Sequence, residues 1–201
     1  MASEQKKQEQ QEEKKKKTKK GVPPFPQLPR IDYTPHVSAD ADKPPFYWPP
    51  TTVMFRNDDD SDESNGWLFL GSEVDAINPV YITEKKITRF IHACRNCKCD
   101  FKQDDPAHLR ISIHDSPGED ISRYFETAVA FLDKAKEENA NVLVHCLAGI
   151  SRSATIVLAY MINKGASTVN ALADLKRCRE CVNPNIYFGG ALFNYEKSLN
   201  R

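Results

Sequence analysis

Residues 141–153 read Asn-Val-Leu-Val-His-Cys-Leu-Ala-Gly-Ile-Ser-Arg-Ser. Val142, Leu143 and Val144 form a short apolar run of strand character that ends at His145-Cys146. A glycine-containing loop follows, and an apolar helical stretch begins at about Ser153. A strand that runs through a tight loop into a helix gathers backbone amides at the helix N-terminus. Their unpaired N–H groups and partial positive charge favour a tetrahedral anion such as phosphate. Leu147, Ala148, Gly149, Ile150, Ser151 and Arg152 would form this cradle, with Gly149 letting the chain curl. A thiol at the mouth of the loop feels the same field together with the Arg152 charge, and both favour thiolate over thiol. Cys146 is therefore the candidate nucleophile. Arg152 can return across the loop as a planar fork that grips two phosphate oxygens, a geometry lysine does not reproduce.

Outward from this segment the pattern is α/β: a central, mostly parallel sheet flanked by helices is expected. Strands are predicted at Trp67–Leu70, at Ile87–Ala93, along the alternating Leu109, Ile111 and Ile113, and at Val142–His145. Ile121, Tyr124, Phe125, Ala128, Leu132 and Ala135 recur at helical spacing, with Asp120 placed to cap. Further helices are predicted at about 153–164, 167–177 and 186–199, with Gly165 stopping the first. No internal repeat is visible.

The composition allows one soluble domain. Of 201 residues, 28 are Lys or Arg and 28 Asp or Glu, 40% are hydrophobic, and there are 6 Cys, which excludes collagen-like and disulfide-dense classes. The apolar stretch Ile156–Ile162 is far short of the roughly 20 residues a bilayer-spanning helix needs. No membrane insertion is expected, and the N-terminal residues show neither a secretory h-region nor a myristoylation glycine, so a cytosolic or nuclear location is expected. Residues 1–20, with eight Lys and four Glu, read as a disordered basic tail. Their Lys14–Lys20 run is open to reading as a nuclear-localisation patch or a solubilising tail. Residues 21–50 hold nine of the 13 prolines and read as a stiff arm. Phe46, Tyr47 and Trp48 are placed to dock its end, and Asp58–Glu63 reads as an exposed acidic loop. Residues 51–201 are expected to form the catalytic domain.

The run His145-Cys146-Leu147-Ala148-Gly149-Ile150-Ser151-Arg152-Ser153 resembles the H-C-x-x-G-x-x-R-S signature of cysteine-dependent protein phosphatases. Ala154-Thr155-Ile156, Ala159–Ile162, and Asn183-Pro184-Asn185 with Phe188 and Leu192 are similar to the dual-specificity branch, especially to MAP kinase phosphatase catalytic domains. Upstream, Trp67–Ser72 extends the resemblance more loosely. With no kinase-docking domain recognisable, the resemblance is to an atypical, single-domain member with a protein tyrosine phosphatase-like fold. It implies that His145 braces the loop by hydrogen bonding and that Ser153 assists the departure of the Cys146 thiolate.

The chemistry also needs a proton donor, because an unprotonated oxide leaves poorly. Asp115 follows the alternating strand and precedes Ser116-Pro117-Gly118, a loop able to reach over the cradle, and the resemblance puts a general acid in this place. Attack by Cys146, protonation by Asp115 and stabilisation by loop amides and Arg152 require no metal or other cofactor, so EDTA is expected to leave activity intact. Leu147 and Ile150 stand where phosphoinositide-directed relatives carry basic residues. A shallow pocket for phosphotyrosine and phosphoserine or phosphothreonine is expected, with a phosphoprotein, a MAP kinase among the candidates, as partner and no nucleic acid. A non-protein phosphate monoester and a binding module without turnover are the alternatives.

Cys94, Cys97, Cys99, Cys178 and Cys181 form C-x-x-C-x-C and C-x-x-C groups. Three readings stay open: ligands of a zinc ion, a thiol that captures oxidised Cys146, or ordinary structural and surface cysteines.

Overall fold

The computed structural model describes residues 49–53, 66–99 and 104–199, all within a compact unit spanning Tyr33–Arg201. The elements are β1 (Thr51–Thr52), β2 (Leu68–Ser72), α1 (Glu73–Ala76), α2 (Pro79–Glu84), β3 (Ile87–His92), β4 (His108–Arg110), a 3-10 turn (Ser122–Tyr124), α3 (Phe125–Glu137), β5 (Asn141–Cys146), α4 (Arg152–Asn163), α5 (Thr168–Cys178) and α6 (Ile186–Ser198). The sheet order is β1-β2-β5-β3-β4, with β1 antiparallel and the rest parallel. Parallel strands need crossovers, and helices supply two of them, each passing over one strand: α1 and α2 link β2 to β3 across β5, and α3 links β4 to β5 across β3.

β5 is the middle strand. Its apolar run is buried throughout Val142–Cys146 because it is hydrogen-bonded on both edges and covered on both faces. Side-chain alternation divides the core accordingly. Leu68, Leu70, Ile91, Val142 and Val144 join the main cluster with Phe125, Leu132, Ile156, Leu175 and Phe188 from the helices. Phe69, Ile87 and Leu143 face the other side, against Ala76, Tyr81 and Ile82 of α1 and α2. The register sets Ser72 opposite Cys146 and His92 opposite His145.

The predicted α/β architecture is present, with differences at the ends of elements. Helices α4, α5 and α6 lie within a residue or so of expectation; Gly165, with φ +109°, follows α4, and Ser167 and Asn185 cap α5 and α6. Asp120 does not cap α3: its Oδ1 accepts from Ser122 N and Oγ at the start of the 3-10 turn, whose N-cap position is Ile121. The alternating 109–113 segment is strand only to Arg110. β4 is an edge strand whose pairing stops where β3 ends at His92, yet Ile111 and Ile113 remain buried as the chain runs on toward the cradle. The short helices α1 and α2 carry no periodicity that a sequence could display and were not expected. Phe46–Trp48, the Asp58–Glu63 loop and the basic tail lie outside the described residues. Among the described residues no helix is long and apolar enough to cross a membrane.

Candidate active site

Cys146 ends β5 with its side chain 2% exposed. Gly149 N–H and Ser153 Oγ–H each donate to its Sγ at 3.2 Å. Burial by itself raises a thiol's pKa, but the Ser153 hydroxyl and amide, the Arg152 guanidinium and the Gly149 amide outweigh it and hold Cys146 below the ordinary thiol range. The nucleophile expected from sequence is thus a buried sulfur surrounded by donors.

The loop from Leu147 to Ser151 is tied down through its carbonyls. Leu147 O accepts from Glu73 N, Gly149 O and Ala148 O from Arg179 Nε and Nη2, Ile150 O from Asn183 N, and Ser151 O from Thr155 N and Oγ1. In a trans peptide the N–H points opposite to the C=O. Binding the carbonyls of residues 147–150 from outside turns the following amides inward, as the Ala148–Gly149 peptide shows directly: its oxygen meets Arg179 and its N–H meets Cys146. Gly149 has φ +71°, and a Cβ there would stand 2.5 Å from the Gly71 carbonyl oxygen. The loop is too close to β2 for any side chain at this position.

Arg152 opens α4 and reaches back, with Nη1 donating to Ile113 O at 3.4 Å. Its buried Nε makes no hydrogen bond, and its nearest acidic partner is Asp115 Oδ2 at 3.7 Å. Asp115 Oδ1 accepts from Ser151 Oγ at 2.9 Å and from Asn185 Nδ2 at 2.7 Å. With two donors on Oδ1, Oδ2 is the oxygen that faces the guanidinium. The structure thus brings Asp115, from the chain that follows β4, to the contiguous segment that carries Cys146 and Arg152. Leu147, 60% exposed, and the half-buried Ile150 stand at the rim.

The family model described as "Dual specificity phosphatase, catalytic domain" matches residues 68–198. The chain belongs to the dual-specificity phosphatase family. Among its relatives, mouse dual specificity protein phosphatase 8 is 40% identical over 134 residues, covering 66% of this chain and 20% of that protein. Human dual specificity protein phosphatase 9 is 37% identical over 134 residues, covering 66% and 35%. The chain therefore spans between a fifth and about a third of the curated relatives it matches. Among solved structures, DUSP15 superposes with a TM-score of 0.62 at 32% identity, covering 67% of this chain and 86% of that one. Human DUSP28 gives 0.61 at 29% identity, covering 67% and 90%. The central, mostly parallel sheet is that of the protein tyrosine phosphatase-like dual-specificity fold.

In this dual-specificity phosphatase domain, His145 does not spend its side chain on the loop. Its Nε2 lies 2.6 Å from His92 Nδ1, and its backbone carbonyl accepts from Ala93 N at 2.8 Å. Sequence reading assigned no role to Arg179, 1% exposed and 31 residues from Ala148. Nor did it give one to Asn185 or Glu73. Their contacts span long stretches of chain, and an arginine near a helix end carries no signal that it turns inward.

Proposed function

We propose that this domain is a protein phosphatase acting on phosphotyrosine and on phosphoserine or phosphothreonine. The observation that carries it is the convergence on Cys146: a sulfur held below the ordinary thiol range, amides turned inward around it, Arg152 opposite and Asp115 within ion-pair reach of that arginine. In the first step the Cys146 thiolate forms an S–P bond as the P–O bond to the leaving group breaks, and the Asp115 proton passes to the departing oxygen. In the second, Asp115 takes a proton from water, whose oxygen displaces Sγ and releases phosphate. The loop amides and Arg152 stabilise the equatorial oxygens in both. Ser153 Oγ, at 3.2 Å from Sγ, donates to the thiolate as it leaves.

A phosphoprotein substrate is favoured by the rim. Leu147 and Ile150 are apolar where a polyanionic headgroup would call for cations, and Leu147 is exposed. The resemblance to MAP kinase phosphatases makes a phosphorylated MAP kinase the first phosphoprotein to test, in cytosol or nucleus. We assign residues 51–201 to the catalytic domain, 21–50 to a Pro-rich arm and 1–20 to a basic tail.

The test is a panel of phosphotyrosine, phosphothreonine and phosphoserine peptides, phosphoinositides, phosphoglucans and 5′-phosphorylated RNA, assayed with the full chain. Phosphopeptides should be turned over best, with phosphate trapped on Cys146 after rapid acid quench. Preference for a lipid, glucan or RNA overturns the substrate class. Phosphopeptide binding without release of phosphate overturns the activity.

A further inference from the structure

On the face of β5 away from the nucleophile, four side chains from separate segments present soft or borderline donors to one point. His92 ends β3, His145 precedes Cys146 on β5, and Cys97 and Cys99 lie in the connection from β3 to β4. Their donor atoms all fall within 4.8 Å of one another. Cys97 Sγ is 3.8 Å from His92 Nδ1 and 4.0 Å from His145 Nε2; Cys99 Sγ is 3.7 Å from His145 Nε2; the two imidazole nitrogens are 2.6 Å apart.

These separations nearly describe a tetrahedron. Zinc–sulfur bonds of about 2.3 Å and zinc–nitrogen bonds of about 2.0 Å put sulfur and nitrogen about 3.5 Å apart at tetrahedral angles, and two nitrogens about 3.3 Å apart. The three sulfur–nitrogen distances, 3.7 to 4.0 Å, exceed that by about half an ångström at most. The imidazole pair has only to open by about 0.7 Å, which side-chain torsions supply.

We infer that His92, Cys97, Cys99 and His145 form a structural zinc site. Two thiolates and two neutral imidazoles are the donor set that selects tetrahedral zinc. Binding releases both thiol protons to solvent, so the dication and two thiolates sum to zero. That is the charge a site with His92 and His145 at 1% and 0% exposure can hold.

The surroundings are arranged for ligands. A metal on His92 Nδ1 leaves the ring proton on Nε2, which then donates to His108 Nδ1 at 2.8 Å, and His108 Nε2 in turn faces Asp105 Oδ2 at 4.0 Å. Such an outer partner fixes the tautomer and ring orientation of a metal-bound histidine, here His92, whereas His145 Nδ1 is buried without one. The Cys97–Cys99 turn is held by buried Glu73, whose Oε1 accepts from Lys98 N at 2.6 Å, while Cys99 N donates to Cys97 Sγ at 3.3 Å. Of the C-x-x-C-x-C run, Cys94 is a buried free thiol outside the group of four. Cys178 and Cys181 stand outside the group. The ion would anchor the residue before the nucleophile to β3, yet no chemical step passes through it. The inference does not depend on turnover: a chain that binds zinc and hydrolyses nothing refutes the proposed function alone.

The full chain, produced with zinc and dialysed into metal-free buffer, should retain about one zinc per chain. X-ray absorption at the zinc edge should show two sulfurs at about 2.3 Å and two nitrogens at about 2.0 Å. Cobalt exchanged into the protein should give tetrahedral visible bands and a sulfur-to-metal charge-transfer band. Cys97→Ser/Cys99→Ser should lose the metal, and Cys178→Ser/Cys181→Ser should keep it. Metal-free reduced protein that takes up neither ion overturns the site and leaves a hydrogen-bonded histidine pair. So does full occupancy in the Cys97→Ser/Cys99→Ser variant, or an absorption spectrum with a different donor set. The last measurement uses the natural chain and decides the matter even if that variant does not fold.

Discussion

Arg179 and Cys146 hold opposite ends of one peptide unit: Nη2 of the arginine donates to the Ala148 oxygen at 3.3 Å, while the Gly149 N–H of the same unit donates to the cysteine sulfur at 3.2 Å. The same guanidinium donates through Nε to Gly149 O at 3.0 Å and through Nη1 to Pro49 O. Replacing it with lysine keeps a charge but not the fork that holds two adjacent carbonyls. Arg179→Lys should lower kcat/KM on an aryl phosphate by about 10²-fold, comparable to losing one oriented donor. Tungstate affinity should fall in parallel while the far-UV spectrum is unchanged. Unchanged kinetics would show that the loop keeps its shape unaided.

At Gly149 the nearest obstacle is the Gly71 backbone, with Arg179 Nη2 behind it. Alanine would need φ +71° and would place its Cβ 2.5 Å from Gly71 O. Left-handed strain and overpacking together cost about 3 kcal/mol. Gly149→Ala should therefore lower the denaturant midpoint as well as remove activity, both measurable on one purified variant.

The pH profile has a definite sign. Thiolate is the reactive form, so activity on an aryl phosphate should rise with pH as Cys146 ionises, and the rise lies below the ordinary thiol range because Ser153, Arg152 and Gly149 outweigh burial. A hydrogen bond to a charged group is worth about 1.5–3 kcal/mol, or about one to two pKa units. Ser153→Ala should move the acidic limb, and the pH dependence of iodoacetate alkylation of Cys146, upward by about that much. A stationary limb would mean that it reports another group.

Cys146→Ser should abolish hydrolysis while the fold and phosphate binding survive. Arg152→Lys should lose about 10²- to 10³-fold in kcat/KM, with weakened tungstate binding. Near-normal steady-state kinetics in either variant would remove that residue from the reaction.

For Asp115 the comparison is between leaving groups. Asp115→Asn should slow phosphotyrosine hydrolysis by about 10²-fold or more, and hydrolysis of an aryl phosphate with an acidic leaving group far less. Equal losses on both substrates would deny it the role of acid, and Asp120 would be tested next. Asn185→Ala, which removes one of two donors to Oδ1, should reproduce a milder form of the same bias.

What the sequence displayed depended on how far apart the cooperating atoms lie along the chain. The cradle was legible because Cys146 through Ser153 are contiguous and their geometry follows from strand, loop and helix N-terminus alone. Asp115 was legible as the end of an alternating run, although the run stops pairing at Arg110 and reaches the site as buried irregular chain. Arg179, Glu73 and Asn185 act on the loop from distant segments, through side-chain orientations that periodicity does not encode. The cysteine spacing advertised a metal reading, but two of the four ligands it needed were histidines on different strands. Only the register, which sets His92 opposite His145, brings them together.

His145 and Cys146 are covalent neighbours that chemistry keeps apart. Successive residues of a strand project to opposite faces. Cys146 accordingly joins the cluster under α3–α6, and His145 meets Cys97 and Cys99 on the side where Cys99 packs against Phe69 and Leu143. β5 is in this sense a partition one strand thick between two kinds of sulfur. Placed among thiols and imidazoles, the reactive sulfur would be sequestered as a ligand or oxidised into a disulfide. Inserting or deleting a single residue in β5 would exchange the two compartments, turning a nucleophile into a ligand and leaving an imidazole in the cradle.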